Sequence, residues 1–169
     1  MRSSRAARWM LGAFAATSVA ACHHHASSDD TLPASTERIV HGVISVTGTS
    51  FSRQLMLNTG STPLRLHPAS SSDSAALTRL GGAEVSLHGV DDAGGGLRVT
   101  SFTAQRVSGK PVVDGWIRAD GDRLYLETPG GRMPLGNPPS AFRQMIGARV
   151  WMDGPLDHGP NNYGVIIPH

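Results

Sequence analysis

Gly82–Gly89 reads GAEVSLHG and Gly147–Gly154 reads GARVWMDG, so one frame, G-A-x-V-x-x-x-G, occurs twice in a chain of 169 residues. The first copy alternates apolar and polar residues between two glycines and the second does so except at Trp151, the pattern of a short strand with one buried face. Working outward from the first copy, Ser70-Ser71-Ser72-Asp73 offers N-cap oxygens to a segment that carries Leu77 and Leu80 at i and i+3, with Gly81 behind it as a C′ residue. This predicts a helix of one to two turns. Before it stand three β-type runs, Arg38 to Val46, Gln54 to Leu57 and Pro63 to Leu66, the last two separated by the turn Asn58-Thr59-Gly60. After it come Ala83 to His88 and Leu97 to Val107, joined by the hairpin tip Asp91-Asp92-Ala93-Gly94-Gly95-Gly96.

Beyond Ser108-Gly109-Lys110-Pro111 the same order restarts. Gly115-Trp116-Ile117 stands where Gly42-Val43-Ile44 stood, Leu124-Tyr125-Leu126 where Leu55-Met56-Leu57 stood, and Met133-Pro134-Leu135 repeats the third strand. Ser140 to Ile146 repeats the helix, with Phe142 and Ile146 at i and i+4 and Gly147 as its C′ glycine. Arg149 to Asp153 and Tyr163 to Ile167 complete the set. Two occurrences of a period of about 70 residues indicate a duplication and not a solenoid. Three strands, a short helix and two more strands resemble the order of the oligonucleotide/oligosaccharide-binding (OB) fold, a five-stranded Greek-key barrel. The expected fold is therefore all-β: two tandem OB-like five-stranded barrels over residues 38–109 and 111–168, each with a short helix between strands 3 and 4. An SH3-like barrel or an open sandwich also suits strands this short. The helix, present twice, favours the OB-like order.

The first residues carry Arg2, Arg5 and Arg8, then an apolar run from Trp9 to Ala16 and small residues as far as Val19-Ala20-Ala21-Cys22. That is the layout of a secretory signal, and the run is shorter than the roughly 20 apolar residues a spanning helix needs. Val19-Ala20-Ala21-Cys22 resembles a bacterial lipobox. The resemblance implies a signal peptide over residues 1–21, cleaved before Cys22, whose sulfur then carries diacylglycerol and whose amino group is usually acylated as well. It implies a lipid bilayer as partner through Cys22. His23 in place of Asp after the cysteine implies, for Gram-negative lipoproteins, the outer membrane facing the periplasm. Residues 22–37 then read as the acylated cysteine and a flexible tether, with His23, His24 and His25 as part of the spacer. Cys22 is the only cysteine, so no intramolecular disulfide forms and stability rests on packing.

The formal net charge of +2 comes from 15 basic and 13 acidic side chains. Losing the three leader arginines leaves 12 against 13, a formal charge of −1. The remaining arginines are interleaved with aspartates, without the concentrated basic footprint of a nucleic-acid binder. No DNA or RNA partner is expected.

Strand parity supplies the candidate site. With Ile117, Leu124, Leu126, Val150 and Met152 pointing inward, Trp116, Tyr125 and Trp151 point outward on strands 1, 2 and 4 of the second unit, which neighbour one another in an OB barrel. The first unit has Val43, Met56 and Ser86 there, so the aromatic face belongs to the second. It is expected either to bind a ligand or partner, or to bury itself against the first unit. No catalytic motif accompanies it. His41, His67, His88 and His158 lack metal-ligand spacing, Ser70 to Ser74 lack a nucleophile elbow, and Asp91, Asp92, Asp114, Asp120 and Asp122 read as turn residues. Neither a cofactor nor a metal is expected, and no enzymatic activity. The leading expectation is a non-enzymatic binding or assembly module with an envelope protein or glycan partner. A small-ligand or glycan binder using the aromatic face is the second, and a hydrolase or metal-dependent enzyme the third.

Overall fold

The strands fall where the alternating runs stand, as a computed structural model covering residues 36–49 and 52–169 shows. The expected signal peptide, Cys22 and most of the expected tether lie outside the described residues. In chain order the elements are β1 (Glu37–Thr49), β2 (Ser52–Asn58), β3 (Leu64–Pro68), α1 (Ser71–Arg79), β4 (Glu84–Asp91), β5 (Gly96–Val107), β6 (Lys110–Pro111), β7 (Val113–Asp120), β8 (Arg123–Thr128), β9 (Gly131–Pro134), a 3-10 helix (Ser140–Met145), β10 (Arg149–Asp153) and β11 (Asn162–Ile167). The protein is all-β in character, with two sheets.

The first sheet runs β3-β2-β1-β4-β5-β6, and β3 also pairs in parallel with β5, so its first five strands close on themselves. Closure requires a close approach at Gly96: a Cβ there would lie 2.7 Å from His67 Cδ2 and 2.9 Å from the Arg65 carbonyl oxygen. The Asp91–Gly96 tip is accordingly a pinned hairpin, with Asp92 N donating to Gly96 O and Gly95 N to Asp92 O, both at 2.9 Å. Inside the ring Ile44, Leu57, Leu66, Val85, Leu87, Leu97 and Val99 pack with Leu77 and Leu80 of α1.

The second sheet runs β11-β10-β7-β8-β9. Among the described residues β9 and β11 do not pair, so the expected second barrel is an open sheet. The cause lies in β11. Between Arg149 and Val150 the register jumps from Ile167 to Val165, which leaves Ile166 as a bulge residue. Ile166 is fully buried, and it packs in the core of the first ring rather than its own sheet's, with Ile167 beside it. Arg79 Nη1 of α1 donates to the Ile166 carbonyl at 3.1 Å. A strand drawn onto α1 in this way does not turn back to β9. The second core is separate and contains Ile117, Leu124, Leu126, Phe142, Val150 and Met152.

The two helical segments differ because their caps differ. Ser70 Oγ accepts from Asp73 N at 3.0 Å and starts α1. Pro139 stands at the equivalent place before Ser140 and provides no side-chain bond, and the segment is a six-residue 3-10 helix instead of the expected repeat of α1. Phe142 is buried, whereas Ile146 lies outside the helix and is 40% exposed. Gly81 likewise departs from expectation: the left-handed residue after α1 is Gly82, at φ +83°, matched by Gly147 at φ +93°. Both make the same pair of bonds. Gly82 N donates to Ile44 O while Ile44 N donates to Ala83 O, and Gly147 N donates to Ile117 O while Ile117 N donates to Ala148 O.

The junction at 108–111 is a tight turn. Ser108 and Gly109 both have positive φ, and Arg106 and Val107 pair with Pro111 and Lys110, a two-residue hairpin that turns β5 directly into β6 and β7. The described residues belong to one compact unit.

Candidate binding face on the second sheet

Along β7, β8 and β10 burial alternates as side chains must on a pleated strand. Ile117, Leu126, Val150 and Met152 have no exposed surface and Leu124 has 3%, while Trp116, Tyr125 and Trp151 stand half-buried on the opposite face. Arg149 pairs with Trp116, which pairs with Glu127, and Arg118 pairs with Tyr125. Trp116 and Tyr125 are therefore diagonal neighbours, as are Trp116 and Trp151 through the pairing of Trp151 with Asp114.

The three rings are used differently. Trp151 lies across Gly164, where a Cβ would come within 2.5 Å of its Nε1, and packs against the core of the first ring. Trp116 and Tyr125 belong to neither core cluster. Arg118 sits over the Trp116 ring with its guanidinium carbon 5.6 Å from the centroid, and Arg132 of β9 sits over Tyr125 at 4.8 Å. Arg118 Nε also donates to Glu127 Oε2 at 2.8 Å. A guanidinium held over a ring and against a carboxylate is ordered before any partner arrives.

The Asp114 end of the face is covered by β5. Asp114 accepts Arg149 Nε on Oδ1 and Arg149 Nη2 on Oδ2, each at 2.8 Å, and its Oδ2 takes Ala104 N at 2.8 Å. Arg149 also donates to the Phe102 carbonyl oxygen and lies over the Phe102 ring at 4.3 Å. Asp114 had been expected among turn residues. It is instead the second residue of β7 and buried, and a single Asp between Val113 and Gly115 carries no signal of a partner 35 residues away. Where this cover ends, a cleft of about 610 Å³ opens between the sheets, with His88, Thr103, Trp116, Arg118, Glu127 and Thr128 on its walls.

The other candidates stay apart. Among the described residues no group of three His, Cys, Asp or Glu side chains is placed to hold a metal ion. His158 Nδ1 lies 3.0 Å from Asp157 Oδ1, and that hydrogen bond holds the Asp157 carboxyl below its usual range on an open surface. Asp153 is turned inward to cap its own loop, accepting Asn162 N at 2.7 Å and Asn162 Nδ2 at 2.9 Å. No described helix is long and apolar enough to cross a membrane.

Fold and face together define an all-β protein with a preordered aromatic and arginine surface. No protein-family model, curated protein or solved structure matches the chain.

Proposed function

We propose that this chain is a membrane-anchored envelope lipoprotein acting as a non-enzymatic binding or assembly module, held to the bilayer by acylated Cys22 and probing for an envelope protein with the Trp116–Tyr125 face. The ring β1-β2-β3-β5-β4 with α1 between β3 and β4 supports an OB-like reading of the first unit. The second sheet, with the same strand order left open, supports a duplicated origin.

The observation that carries the function is the pairing of each open ring with a guanidinium, Arg118 on Trp116 and Arg132 on Tyr125. Trp, Tyr and Arg are the residue types that dominate the energetics of protein interfaces, and here they stand together, preordered, outside both cores. A sugar would need a bare ring face to stack on. Arginines already laid over these rings favour a protein partner over a glycan.

Affinity purification of the full chain from detergent-solubilised envelopes tests the reading. A specific protein should be recovered with the native chain and lost with Tyr125→Ala or Arg118→Ala. Recovery unaffected by either substitution refutes it. Labelling with a palmitate analogue tests the anchor separately: it should mark the native chain and not Cys22→Ala.

A further inference from the structure

A second cleft, of about 620 Å³, lies on the other unit between β2, β3 and α1. Its walls carry Arg53, Arg65, Arg79 and His67, with the Ser71 and Ser74 hydroxyls along α1. The buried Leu55 and Leu66 lie beneath, while Arg53, Arg65 and Arg79 stand exposed on the walls, open to a ligand from solvent.

His67 Nε2 lies 3.7 Å from Asp92 Oδ2, but the arginine charge here has no carboxylate beside it. Arg38, Arg98, Arg106, Arg118 and Arg149 each stand within ion-pair distance of a carboxylate: Asp91, Asp92, Glu84, Glu127 and Asp114. Among the described residues Arg53, Arg65 and Arg79 have no such partner, as is also true of Arg123, Arg132 and Arg143, but Arg53, Arg65 and Arg79 share one cleft, and no acidic side chain lines it. The carboxylate on α1, Asp73, accepts Ser70 Oγ at 2.6 Å. Two of the three arginines are steadied by neutral groups and keep donors free. Arg65 Nη2 reaches Gln54 Oε1 at 3.4 Å, and Arg79 Nη1 reaches the Ile166 carbonyl at 3.1 Å.

We propose that this cleft is a binding site for a phosphate-bearing anion. Guanidinium forks match phosphate oxygens two at a time, and three forks with hydroxyls beside them exceed what a single carboxylate engages. The phosphate comes either from a free phosphomonoester or from the phosphodiester of a lipid headgroup. The site stands on the opposite unit from the Trp116 face and does not depend on it.

The test is calorimetric titration of the full chain in non-ionic detergent with glycerol 3-phosphate, glycerophosphoglycerol and acetate. Saturable binding of one phosphate ester is expected, weakened at least tenfold by Arg53→Gln and by Arg65→Gln. It should be unchanged by Arg123→Gln, which removes the same charge elsewhere. Preference for the monoester identifies a free phosphorylated ligand, and preference for the diester identifies a headgroup. Absence of saturable binding to either ester, an equal response to acetate, or an equal loss in Arg123→Gln overturns the proposal.

Discussion

Arg149 grips Asp114 with two parallel hydrogen bonds of 2.8 Å, and the Asp114 side chain is 1% exposed. Both residues belong to the second sheet, yet each also bonds to β5 of the first, at the Phe102 carbonyl and the Ala104 amide. The pair is thus the clasp between the units. Breaking a buried pair by removing one partner leaves the other charge unpaired, which costs on the order of 3 kcal/mol. Arg149→Met and Asp114→Leu should each lose about that much in urea unfolding. The double variant should lose less than the two single losses combined, because no orphaned charge remains.

Trp151 and Trp116 look alike in the sequence and should behave oppositely. Trp151→Ala removes a ring that bridges Gly164 and the core of the first ring, and should destabilise by roughly 3 kcal/mol. Trp116→Ala should change stability by less than about 1 kcal/mol, as expected for a side chain outside both cores. Melting curves of the two variants decide this.

Ile166 joins the sheets through a bulge. Ile166→Ala should destabilise by about 2 to 4 kcal/mol. Amide exchange should accelerate first in Asn162–Ile167, since β11 loses the side chain that holds it to α1.

The ring of the first unit closes over Gly96. Gly96→Ala places a methyl against His67 and the Arg65 carbonyl, and should cost about 1 to 3 kcal/mol while loosening the parallel pairing of β3 with β5. Amide protection in Leu64–Pro68 reports it.

Strand positions were legible because burial on one face imposes a period of two, and the G-A-x-V frame marked corresponding places in both halves. The inward set Ile117, Leu124, Leu126, Val150 and Met152 followed from that period alone. What did not follow depends on long-range geometry. A 3-10 helix in place of a second α-helix turns on one cap, Pro139 against Ser70. The open second sheet turns on where Ile166 finds apolar contact. The division of labour between Trp116 and Trp151 turns on which ring meets the other unit, and parity places both on the same face. Asp114 read as a turn former because nothing local announces a guanidinium from another strand. The basic cleft was equally hidden, since Arg53, Arg65 and Arg79 come from three different elements.

Site-specific photo-cross-linking in cells tests the central claim, that the Trp116–Tyr125 face meets a protein partner. A benzophenone side chain placed at the exposed Arg123, two residues before Tyr125 on the same face of β8, should give one discrete protein adduct. The same probe at Arg98, on the first unit, should give none, and Trp116→Ala should abolish the Arg123 adduct without unfolding the chain. No adduct from Arg123, or an adduct that survives Trp116→Ala undiminished, would contradict the account.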